Sequence, residues 1–134
     1  MKKLVALVSA LIFVLAMIGC SQQVQGNQLL LEGNVINVNV SSLPDGYNCS
    51  FNGEDAKAII DYLANLNLYS KFKENPNEYV GGMTWVISLE YDNGDVITVY
   101  HFGNMFIRSE KGSWYRMTYD EASRFKTLLN ELND

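Results

Sequence analysis

Two alternating apolar runs that meet at an Asn-Gly pair constrain this chain more than any other feature. Trp85, Ile87, Leu89 and Tyr91 alternate with Val86, Ser88 and Glu90, and a second alternating run extends from Val96 to Phe102. A period of two sends successive side chains to opposite faces of a strand. Asp92-Asn93-Gly94-Asp95 lies between the runs, and Asn-Gly in that setting is the strongest short-range hairpin signal. With Asn93-Gly94 as a two-residue loop, Tyr91 faces Val96, Leu89 faces Thr98, Ile87 faces Tyr100 and Trp85 faces Phe102. That register gathers the large side chains on one face and leaves Glu90, Ser88 and His101 on the other with Ile97 and Val99.

The flanking segments extend the same sheet. Val35, Ile36, Val38 and Val40 form a β-branched run, Ser42-Leu43-Pro44-Asp45-Gly46 reads as a turn, and Tyr47 to Phe51 as a short strand. Turns at Gly103-Asn104 and Glu110-Lys111-Gly112 bracket strands over Met105 to Arg108 and Trp114 to Met117. A first helix starts at Asn52, a favoured N-cap, with Glu54 and Asp55 in its first turn, and runs to about Leu68. Its buried stripe is Ala56, Ile59, Ile60, Leu63 and Leu66. A second helix opens on the capping box Thr118-Tyr119-Asp120-Glu121 and buries Ala122, Phe125, Leu128, Leu129 and Leu132. The expected class is α+β: an antiparallel four- to five-stranded meander with two helices packed on one face. Tyr69 to Gly82 reads as a long loop, with Phe72 and Tyr79 among its apolar residues.

The amino terminus addresses location. Lys2 and Lys3 precede an apolar stretch from Leu4 to Ile18, and Met17-Ile18-Gly19-Cys20 resembles a bacterial lipobox. A membrane span needs about 20 apolar residues, whereas Leu4 to Gly19 is 16 residues, so a cleaved signal is favoured over a retained anchor. The expected organisation is a lipoprotein signal peptide over 1–19, a lipidated tether over 20–28 and one extracytoplasmic α+β domain over 29–134. Lipid on Cys20 makes the outer face of the cytoplasmic membrane the first partner, since two or more acyl chains hold a protein firmly.

The chain carries a formal charge of −5. Loss of Lys2 and Lys3 with the signal leaves eight basic residues against 15 acidic, a balance of −7. That balance disfavours nucleic acid as a partner. With Cys20 lipidated, Cys49 has no partner and reads as a small apolar side chain. A Cys20–Cys49 bridge is the competing arrangement.

Gly94 to Asn104, Trp114-Tyr115-Arg116-Met117 and the capped helix after them resemble small uncharacterised lipoproteins of Firmicutes. They are also similar to the extracytoplasmic tail of some β-lactam-sensor-type membrane metallopeptidases. The resemblance implies a compact domain of unknown function that rides on a sensor or stands alone. It carries over no catalytic residue, and the chain has no His-Glu-x-x-His.

No pattern for a nucleophile elbow, phosphate loop or dinucleotide site is present. His101, the only histidine, reads as a hydrogen-bonded sheet residue, with ligand contact as the alternative. No metal site and no cofactor are expected. Asp92 and Asp95 read as turn residues. Most aromatics belong in a core, but Phe72, Tyr79, Trp114 and Tyr115, with His101, are the candidate binding residues. The expected role is a monomeric, non-catalytic interaction or ligand-sensing module beside an envelope protein. The alternative is a small cell-envelope hydrolase with an unrecognised site.

Overall fold

The computed structural model describes residues 23–72, 83–102 and 105–134. Its architecture is α+β: an antiparallel sheet with two helices on one face. The strands are β1 (Gln23–Gln25), β2 (Val35–Leu43), β3 (Asn48–Phe51), β4 (Asn67–Phe72), β5 (Thr84–Tyr91), β6 (Val96–Phe102), β7 (Phe106–Ser109) and β8 (Trp114–Arg116). Helix α1 spans Gly53–Ala64 and helix α2 spans Tyr119–Asn133. The strand order is β1-β4-β8-β7-β6-β5-β2-β3.

The sheet therefore has eight strands, not the four to five expected. Two of the additional strands come from segments that lack an alternating apolar signature. Residues 23–28, read as tether, supply β1 and most of a 3₁₀ turn over Gly26–Leu29, and Leu29 enters the core. Residues 67–72, read as the end of a helix and the start of a loop, form β4. Leu66 and Leu68 fit a helical stripe loosely and a strand alternation equally, and both are buried. Tertiary contacts decide between the two: the Gly26 amide donates to the Leu66 carbonyl at 2.8 Å, and β1 pairs with β4 from Asn67 to Tyr69.

The central hairpin forms, but its register is displaced by one residue. Glu90 pairs with Val96, Leu89 with Ile97, Ile87 with Val99 and Trp85 with His101. The turn is a three-residue loop. The Tyr91 amide donates to the Asp95 carbonyl at 2.8 Å and the Gly94 amide to the Tyr91 carbonyl at 3.0 Å. Gly94 has φ +89°, and Asn93 Oδ1 accepts from the Asp95 amide at 2.9 Å. This is the geometry of a type I turn closed by a left-handed bulge residue, which glycine adopts without steric cost. A one-residue slip exchanges the two faces of a strand. Ile97, Val99 and His101 accordingly join Trp85, Ile87, Leu89 and Tyr91 in the core, and Thr98, Tyr100 and Phe102 turn away from it.

The helices cover that inner face. Ile59 and Leu63 of α1 and Phe125 and Leu129 of α2 are buried with Val38, Val40, Ile107 and Met117. Helix α2 starts as expected, with Thr118 Oγ1 accepting from the Glu121 amide at 3.2 Å. The Glu121 carboxylate also accepts from the Asn67 amide at 3.0 Å, tying the start of α2 to the start of β4. Helix α1 starts at the expected place, although the Asn52 side chain makes no capping bond.

A Cβ on Gly26 would run into the Leu63 carbonyl. Gly26→Ala should therefore lower stability by about 1–3 kcal/mol, the usual range for overpacking a tight site. A shift in the urea midpoint at unchanged slope checks this, and an unaltered midpoint would place the 23–29 segment outside the cooperative fold.

Candidate functional site

The register of β5–β8 creates a second, outward face. Along it, Val86 lies opposite Tyr100, Tyr100 opposite Arg108, Thr84 opposite Phe102, and Phe106 opposite both Phe102 and Arg116. Among the described residues no helix packs on this side. Tyr100, Phe102, Arg108 and Trp114 are half-buried, Arg116 is exposed, and Leu43 and Val96 are two of the more exposed large apolar side chains. Toward β3 the face becomes polar, where Asn39 Nδ2 donates to Asn48 Oδ1 at 3.1 Å and Ser50 Oγ at 3.0 Å.

The centre of this face is an arginine held between rings. The Arg108 guanidinium carbon lies 5.3 Å from the Tyr100 ring centre and 4.9 Å from that of Trp114. Each such contact contributes about 0.5–2 kcal/mol, rising as water is excluded. Phe102 meets Trp114 edge-on with ring centres 6.2 Å apart. Arg108 Nε is shielded from solvent and has no hydrogen-bond partner. The stack fixes the side chain while its terminal nitrogens carry the charge, so the arrangement can hold an anionic or hydrogen-bond-accepting group flat against aromatic surface.

His101 occupies the opposite environment. It is 2% exposed, and its ring stacks on Phe125 at 5.4 Å. The Tyr62 hydroxyl donates to the Glu121 carbonyl at 2.8 Å, which leaves its oxygen to accept from His101 Nε2 in a long 3.5 Å contact. His101 Nδ1 has no partner. Burial away from water lowers the histidine pKa from 6.5 to about 4, and burial likewise pushes the Tyr62 hydroxyl up. The imidazole is neutral and sealed in the core.

Trp114 is thus separated from Tyr115 and His101 among the candidate binding residues. Trp114 lies on the outward face. Tyr115 follows it in the same strand and must point the other way; it is buried in the core, as is His101. Phe72 ends β4 in register with Trp114. Tyr79 and Cys20 lie outside the described residues. Sequence reading missed Tyr100, Arg108 and Arg116. An alternation count that carried the hairpin register on through β7 and β8 was the signal available for them. Cys49 is a free, half-buried thiol whose Sγ donates to Asn133 Oδ1 at 3.4 Å.

Two clefts lie elsewhere. One of about 380 Å³ separates α1 from α2 beside Asp61, Asn65, Arg124 and Glu131. Another of about 530 Å³ is lined by Asn34, Ile36, Glu54 and Lys57, among others. Neither gathers converging carboxylates around a buried nucleophile, and among the described residues no group of three or more His, Cys, Asp or Glu side chains is placed to hold a metal.

The histidine carries a stability consequence. Unfolded, it binds a proton below pH 6.5; folded, only near pH 4. Its contribution is complete above pH 6.5 and is lost as pH falls from 6.5 to 4, by about 1.4 kcal/mol per unit and roughly 3 kcal/mol in all. His101→Phe should remove this loss. The check is the difference in unfolding free energy between wild type and variant across pH 4 to 7, which stays flat if His101 is accessible to protons in the native state.

Comparisons with protein families, with curated proteins and with solved structures find no match for this chain.

Proposed function

We propose that this chain is a lipid-tethered extracytoplasmic domain that acts as a non-catalytic binding module, engaging its partner through the outward face of the sheet. The observation that carries the binding role is the Tyr100–Arg108–Trp114 stack on a face that no described helix covers. Tryptophan, tyrosine and arginine are the residue types that dominate binding hot spots, because they offer large contact area at low entropic cost. The tether follows from Lys2, Lys3, the apolar run and Cys20. Helix α2 ends at Asn133 beside β3, and β1 begins the sheet at its other edge only three residues after Cys20. A lipid on Cys20 would therefore hold the domain close to the bilayer by its β1 edge. The only histidine is sealed in the core, so acid–base chemistry through it has no access to substrate.

Two measurements test the reading separately. Labelling bacteria with a lipid precursor should mark the wild-type protein and not Cys20→Ala; an unlabelled wild type removes the tether. A photo-cross-linking amino acid at Val86, opposite Tyr100 on the outward face, should give a discrete adduct in envelope preparations. The same group at Lys126, exposed on α2, should give none. Adducts only from Lys126 would move the binding surface to the helices.

A further inference from the structure

We infer that the outward face docks an acidic segment of a protein partner, with Arg108 and Arg116 each taking a carboxylate. The inference rests on that face being the binding surface and adds the chemistry of what binds. Arg116 lies opposite Phe106, and Arg108 is two residues further along the same strand. The two arginines are diagonal neighbours across the β7–β8 pair, a separation of about 7–8 Å in an antiparallel sheet. Neighbouring like charges are unfavourable unless an anion lies between or beside them. The chain carries 15 acidic residues, yet the ion pair among the described residues is Lys57–Asp61, on α1. Neither arginine has a carboxylate partner there.

The geometry of Arg108 narrows the ligand further. The Tyr100 and Trp114 rings lie against the guanidinium, and Nε is shielded. The remaining donors are the terminal nitrogens, which suit a carboxylate approaching along the guanidinium edge. A side chain already held by two rings loses little freedom when it binds.

The choice of a protein segment over a polyanion follows from charge. A mature balance of −7 repels a long uniform polyanion. Two cations set among Tyr100, Phe102 and Trp114 match instead a few carboxylates interspersed with apolar side chains. The patch lies outside both clefts described above; Arg116 is exposed, and Tyr100, Phe102, Arg108 and Trp114 are half-buried.

Trp85 is buried and Trp114 half-buried on the patch, so tryptophan emission of the full chain in detergent micelles reports on the site. The probe is a synthetic decapeptide alternating Glu with Leu and Tyr. It should quench or shift emission, and the same peptide with Gln for Glu should bind at least tenfold more weakly. Arg108→Gln with Arg116→Gln should also weaken binding at least tenfold while the variant still unfolds cooperatively, its urea midpoint lowered only by the lost Arg108–ring contacts. Arg108→Lys should recover only part, because lysine cannot present a planar fork. Equal binding of the Gln peptide, or wild-type affinity in the double variant, overturns the inference. So does polyphosphate binding more tightly than the Glu peptide through the same arginines. Cross-links from Val86 that persist undiminished in the double variant would leave the binding face in place and overturn the acidic partner alone.

Discussion

The Asp92–Gly94 loop sets the register on which the rest of the molecule depends. With three residues in the turn and Gly94 at positive φ, β6 is offset by one position against β5. That offset sends Ile97, Val99 and His101 inward and Tyr100 and Phe102 outward. Because β7 and β8 pair onward from β6, the same offset decides that Ile107 and Tyr115 enter the core and Arg108 and Trp114 leave it. Core and candidate site are two consequences of one turn.

The second structural requirement is closure of the far edge. Glu121 performs three tasks from one position. Its carboxylate completes the capping box on Thr118 and receives the Asn67 amide, while its carbonyl receives the Tyr62 hydroxyl. Helices α1 and α2 and the start of β4 are joined there. Gly26 then lies against the end of α1 with no room for a side chain, which lets β1 reach β4. The sheet gains its edge strand β1 through these contacts rather than through strand propensity, since Gln23-Val24-Gln25 has little of its own.

The two faces differ in what they do with polar groups. Inside, His101 is buried beside Phe125 in long contact with the Tyr62 hydroxyl, and it stays neutral because a charge there would lose its hydration. Outside, the Arg108 guanidinium lies against the Tyr100 and Trp114 rings. The neutral histidine is a structural residue. The stacked arginine lies on the face that no described helix covers.

Much of this was legible in the residues themselves. The α+β class, the capping box at Thr118–Glu121, the alternation of β5 and β6 and the stripe Ala122–Phe125–Leu129 are local patterns with a local cause. The register of the hairpin was not legible, because Asp-Asn-Gly-Asp closes a two-residue or a three-residue loop with similar local chemistry. Burial of β-branched Ile97 and Val99 under the helices favours the longer loop. Nor was β4 legible, since Leu66 and Leu68 satisfy both periods. The face on which Trp114 and Arg108 meet also depended on the register carried from β5 through β6 and β7 to β8. Periodicity determined which residues could share a face; only the packed sheet decided which face met the helices and which did not.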